Sequence, residues 1–159
     1  MSTNSALATF LEPGIGMRVE ARTDSGFTFT LDTDEAGGER AGPSPMESIL
    51  ATLAACTAMD VASILRKKRQ SAVAYEIAVT GERAEEHPQV YTSIVVEHRI
   101  TGEVDPEAVR RSVELSATRY CPVSAMLSAS VRIDHRFRLL RNPGDPSPVS
   151  ASVVITGPG

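Results

Sequence analysis

Apolar and polar residues alternate from Met17 to Ala21 and again from Phe27 to Leu31, with Thr23-Asp24-Ser25-Gly26 between the two runs. A period of two marks strands with one buried face, and a polar tetrapeptide ending in glycine marks a turn, so Gly14 to Asp32 predicts a β-hairpin. Phe27, Phe29 and Leu31 share one of its faces. The stretch from Thr33 to Pro45 contains Gly37-Gly38, Gly42 and two prolines, which predicts a flexible loop. The period then changes. Met46, Ile49, Leu50, Leu53, Thr57, Val61, Ile64 and Leu65 recur every three or four positions and predict a helix over about 45–68. It closes on Arg66-Lys67-Lys68-Arg69, cations suited to the negative end of the helix dipole.

Val73 to Arg83 returns to alternation, with Tyr75, Ile77, Val79 and Gly81 against Glu76, Thr80 and Glu82. Val90 to Thr101 does the same with Val90, Ile94, Val96 and Ile100 inward, and His87-Pro88 between them predicts an antiparallel hairpin. Asp105-Pro106 places an N-cap and a first-turn proline before a helix running to about Arg119. A shorter helix begins at Pro122, and Val131, Ile133, His135, Phe137 and Leu139 alternate with charges in a last strand. The order ββα, ββ, αα, β predicts an α+β domain over residues 1–140, an antiparallel sheet packed on helices. Residues 141–159 are rich in proline and glycine and predict a mobile tail, with Val153-Val154-Ile155 its one strand-like run.

A length of 159 residues with 42% hydrophobic and 23% charged side chains suits one globular domain. With no Trp and 4% aromatics, its core must be aliphatic. A net charge of −4 gives no long-range attraction to nucleic acid or to an anionic membrane, so neither is expected as a partner. No apolar run is read as reaching the roughly 20 residues that span a bilayer, and Met1-Ser2-Thr3-Asn4-Ser5 lacks the basic flank of a signal peptide. Cytoplasmic residence is the expectation. The helix over 45–65 is more apolar than one small core can cover, which points to burial against a second copy, a homodimer.

Candidate chemistry centres on two cysteines. Cys56 lies among small residues, Ala54 and Ala55, about three turns into its helix and far from the positive dipole end. It is either a buried core thiol or a reactive one. Asp60, one turn later, would disfavour a thiolate there if the side chains met. Cys121 stands before Pro122 at a helix start, where backbone N–H groups would lower its pKa, with Arg119 nearby. It is either a poor cap or an activated thiol. Glu47 is a catalytic candidate, yet Ser44-Pro45-Met46-Glu47 is also a capping box. At about 100° per residue, Glu47 and Cys56 fall on roughly opposite helix faces. His87, His98 and His135 show no metal-ligand spacing, and no nucleotide or phosphate motif is present, so no metal or cofactor is expected.

The segments Gly42-Pro43-Ser44-Pro45-Met46-Glu47, Ala54-Ala55-Cys56-Thr57-Ala58-Met59-Asp60-Val61 and Arg119-Tyr120-Cys121-Pro122-Val123 resemble the OsmC/Ohr family, nearest its OsmC-like (YhfA-type) branch. The resemblance covers about residues 15–140. It implies an intertwined α+β homodimer with active sites at the subunit interface that reduces organic hydroperoxides. Cys56 would be the peroxidatic thiol and Cys121 the resolving one, closing a Cys56–Cys121 disulfide that an unidentified dithiol reductant reopens. Family peroxidases also hold the thiolate with a glutamate and an arginine. Here Met46 stands where that glutamate usually lies, with Glu47 one position on. Arg18 is the nearest arginine candidate, with Arg22 and Arg40 weaker ones, and Thr57 follows the cysteine where those peroxidases often have Phe. The alternatives are a noncatalytic small-molecule-binding protein on the same fold, or a redox sensor.

Overall fold

The computed structural model describes residues 1–159 and divides the chain into two units, Met1–Ile49 and Leu50–Gly159. In the first, three strands pair antiparallel in the order β1 (Ala6–Phe10), β2 (Val19–Thr23), β3 (Thr28–Leu31). β2 and β3 are the hairpin that the alternation predicts, closed by Thr23 N–H donating to the Phe27 carbonyl. β1 carries no alternating pattern and all five of its residues are exposed; it is a strand because it borrows β2 as a template, Ala6 to Phe10 pairing with Thr23 to Val19.

The loop after β3 is not the flexible linker its glycines suggest. The Asp32 carboxylate is buried and accepts backbone N–H groups from Thr33 (2.8 Å), Glu39 (3.2 Å) and Ala41 (2.9 Å). Those donors, Ala41 first, hold its pKa below the usual carboxylate range.

The helix α1 (Pro45–Lys67) opens in the first unit and continues into the second. Contrary to the reading of apolar runs, it is long and apolar enough to cross a membrane by length and composition. Leu53, Thr57, Val61 and Leu65, every fourth residue, are buried in one stripe, and the rest of the helix surface is half-buried or exposed.

In the second unit, β4 (Ala74–Arg83), β5 (Tyr91–Thr101), β6 (Arg132–Leu140) and β7 (Val149–Thr156) form a sheet in that order. β4 pairs antiparallel with β5 as expected, but β5 and β6 are parallel, so the sheet is mixed rather than antiparallel. The cause is the connection. Parallel neighbours need a crossover of a dozen or more residues, and here α2 (Pro106–Leu115) and α3 (Pro122–Leu127) supply it. The segment expected as a tail carries β7, eight residues paired antiparallel with β6.

The core joins Val61 and Leu65 of α1, Val109 and Val113 of α2, and Ile100, Phe137 and Leu139 of the sheet. On β4, Gly81 leaves room for a neighbouring ring: a Cβ there would sit 2.6 Å from the Tyr91 side chain and 3.3 Å from Leu50. Val90, expected inward, is exposed, and the buried face of β5 starts at Tyr91.

Two imidazoles are fully buried on the inner face of this sheet. The hydroxyl of Tyr75, whose pKa burial raises, is hydrogen-bonded to His98 Nδ1 at 2.6 Å, while His98 Nε2 and His135 Nδ1 have no partner. Burial pushes His98 down to about 3 and His135 down to about 4. Both are neutral in the folded protein, whereas unfolded histidines take up protons near pH 6.5. Stability is therefore whole above about pH 6.5 and is lost as pH falls toward 4 and then 3. Urea unfolding at stepped pH should show stability falling below pH 6.5 with a slope approaching one proton per imidazole, and His135→Gln should flatten it.

Candidate active site

Cys56 lies beside the buried stripe of α1 and is half-buried. Cys121 reaches the same region by another route. After α2 the chain makes a π-helical turn, Ser116–Tyr120, in which the Cys121 N–H donates to the Ser116 carbonyl at 2.9 Å. Cys121 is then extended (φ −73°, ψ 106°) and caps α3, Pro122 following at the first helical position and the Ser124 N–H donating to Cys121 Sγ at 3.3 Å. The cap predicted from Cys-Pro is present.

Its predicted consequence is reversed. Cys121 is only 2% exposed, and burial pushes its thiol up to about 12. The Ser124 N–H pulls the other way, but the adjacent Cys56 side chain and the Asp60 charge add to the rise. One backbone dipole at a cap does not offset removing a thiolate from water. Both cysteines are reduced, and Cys56 is the accessible member of the pair.

Behind them lies a buried polar cluster. Ser116 Oγ is 2.8 Å from Thr57 Oγ1 and 2.9 Å from Asp60 Oδ2, with Ser116 and Thr57 fully buried. Asp60 acts on Cys121, across the fold, and not only on its own helix. Ser116 falls inside the helix that the sequence predicts to run to about Arg119. A shift from α to π geometry leaves no mark in the residue pattern, so its turn toward α1 was hidden.

Glu47 performs the capping role. Its N–H donates to Ser44 Oγ at 3.2 Å, and the Ser44 N–H donates to Glu47 Oε2 at 2.7 Å. That N–H is the main reason its carboxyl titrates below the usual range. Arg18 precedes β2 rather than lying in it, pairs with Glu12 at 3.1 Å, and keeps a buried Nε without a partner. Arg40 pairs with Asp34, and Arg22 is exposed on β2. Arg18 and Glu47 belong to the first unit and the two cysteines to the second.

A family model described as "OsmC-like protein" matches residues 36–136. The chain belongs to the OsmC-like family. It is 39% identical to Protein YhfA of Escherichia coli strain K12 over 126 residues, 79% of this chain and 92% of the relative. Among solved structures it resembles a hypothetical protein from Aquifex aeolicus VF5 (TM-score 0.76, 29% identity, 87% of this chain and 97% of that one). The fold also matches an organic hydroperoxide resistance protein OsmC from Legionella pneumophila (TM-score 0.59, 19% identity, 88% and 98%). The OsmC-like fold is thus α+β, as the element order predicts.

The unequal exposure of the two thiols has a direct readout. Brief treatment with iodoacetamide at pH 8 should label Cys56 at least tenfold faster than Cys121, as counted by peptide mass spectrometry. Denaturation should equalise them.

Proposed function

We propose that this OsmC-like protein is a thiol-dependent peroxidase that reduces organic hydroperoxides, or hydrogen peroxide, through Cys56. The observation that carries the reading is a half-buried, reachable cysteine beside a buried, reduced one. In the first step the Cys56 thiolate attacks the terminal oxygen of ROOH. The O–O bond breaks, Cys56 becomes a sulfenic acid, and RO⁻ takes a proton from water to leave as ROH. In the second, Cys121 attacks the sulfenic sulfur; an S–S bond forms, the S–OH bond breaks, and the Cys121 proton departs with hydroxide as water. A dithiol reductant then restores both thiols by exchange, becoming a disulfide itself. Burial suits Cys121 to the second role, since it stays protonated and away from bulk oxidant until a sulfenic acid forms next to it. A reducing compartment, the cytoplasm, is where such a cycle is sustained. That a protein of the same fold is named for organic hydroperoxide resistance supports the substrate class.

The working unit in this reading is a homodimer. Within the first unit only Ala21 among the apolar side chains is buried, while Leu7, Phe10, Phe27 and Phe29 are exposed. A three-stranded sheet with that much bare apolar surface needs a cover, and a second copy is the cover always at hand. Met59 (72% exposed), one turn from Cys56, and Tyr120, next to Cys121, offer apolar contact to the organic part of a hydroperoxide.

Stoichiometric cumene hydroperoxide should remove both free thiols of the reduced protein, and dithiothreitol should return them. Cys121→Ser should stop at a sulfenic acid and overoxidise, and Cys56→Ser should lose more than 90% of the peroxide consumption. Unreacted thiols in the wild type would sink the peroxidase. Light scattering should give about twice the 17.0 kDa chain mass.

A further inference from the structure

Ser116 bonds in three directions from a fully buried position. Its hydroxyl meets Thr57 Oγ1 at 2.8 Å and Asp60 Oδ2 at 2.9 Å, and its carbonyl accepts the Cys121 N–H at 2.9 Å. The Ser116 hydroxyl donates to Asp60 Oδ2, which uses its one hydrogen, so the Thr57 hydrogen goes to Ser116. The chain of donors has one direction and leaves no hydroxyl hydrogen spare. Thr57 and Asp60 follow Cys56 by one and four positions on α1, so both belong to the turn that carries that thiol.

The other end of the link is the π turn. Such a turn admits an extra residue at the cost of poorer backbone geometry, and it recurs at functional sites where a side chain must be re-aimed. Here it starts at Ser116 and ends against Cys121. One residue thus holds the Cys56 turn through its side chain and the Cys121 backbone through its carbonyl.

We propose that Ser116 is a positioning residue for the Cys56–Cys121 disulfide, a latch anchored on Thr57 and Asp60 that fixes the mutual approach of the two sulfurs. The inference rests on the disulfide cycle proposed above. Bond formation between two groups of one fold depends steeply on their placement, and a shift of about 1 Å can cost about a hundredfold. Losing the latch therefore lowers the effective concentration of one thiol at the other without removing either.

The test needs no peroxide. Wild type, Ser116→Ala, Thr57→Val, Asp60→Ala and Asp60→Asn are equilibrated in oxidised and reduced dithiothreitol, and the disulfide fraction is read by thiol trapping and mass spectrometry. Thermal melting of each reduced variant runs alongside. Asn keeps an acceptor for Ser116 while removing the charge. The expected result is a disulfide at least tenfold less favoured in Ser116→Ala, Thr57→Val and Asp60→Ala, about 30 mV per tenfold, with Asp60→Asn within threefold of wild type. General destabilisation would lower the melting temperature without separating Asn from Ala at position 60.

Ser116→Ala within twofold of wild type overturns the latch. Should that variant not fold, Thr57→Val and Asp60→Ala both within twofold do the same. Asp60→Asn falling together with Asp60→Ala also overturns it, since charge rather than the hydrogen bond would then be responsible. These outcomes leave the peroxidase standing. A wild type that forms no Cys56–Cys121 disulfide in oxidised dithiothreitol overturns the underlying cycle, and the latch with it.

Discussion

Thr57 is a hydroxyl placed in a stripe that the fold buries completely, and that one constraint fixes how the two thiol-bearing segments meet. Leu53, Val61 and Leu65 ask only for apolar neighbours and would tolerate several registers of α1 against its surroundings. Thr57 would not. A buried hydroxyl left without a partner costs about 1–3 kcal/mol, and the partner it finds is Ser116, equally buried. A slip of either segment strands two hydroxyls and the Asp60 carboxylate at once. Polar groups in a core thus select a single arrangement where aliphatic packing would allow a few.

The same burial sets the two cysteines apart. Cys121 combines a helix-cap N–H, which favours a thiolate, with near-complete removal from water, which opposes it, and the second effect wins. Cys56 has no such cap and keeps contact with solvent. Reasoning from local sequence alone assigned the more reactive setting to Cys121, because a cap is written in neighbouring residues and burial is not. The roles implied by resemblance to the OsmC/Ohr family run the other way, with Cys56, the more exposed of the two, as the attacking thiol.

What could be read in the chain follows a similar rule. The β2–β3 hairpin, α1, the β4–β5 hairpin and the Asp105-Pro106 helix start are each encoded in one contiguous stretch of chain, and each is found. The Glu47 capping box is of this kind too. Hidden from local pattern were the features that need a distant partner: β1, which exists by pairing with β2; the parallel β5–β6 contact; and β7, a strand completed by β6 and obscured by the prolines on either side of it. Ser116 belongs with these. Asp32 shows the reverse case, since three backbone donors gathered by one carboxylate order a loop whose glycines read as freedom.

The residue after Cys56 illustrates how such constraints are coupled. Thr57 is fully buried within hydrogen-bonding distance of Ser116, so a phenyl ring at that position, the choice the family resemblance associates with peroxidases, would have to occupy the space of that hydrogen bond. It would also leave Ser116 with Asp60 as its only side-chain partner. A threonine after the cysteine and a serine opening the π turn are therefore one structural choice rather than two. The departure at Thr57 is for that reason not simply a lost aromatic contact with substrate. It exchanges apolar packing next to Cys56 for a polar contact with Ser116, whose other side-chain partner, Asp60, has a charge that reaches Cys121 and adds to the rise in its pKa.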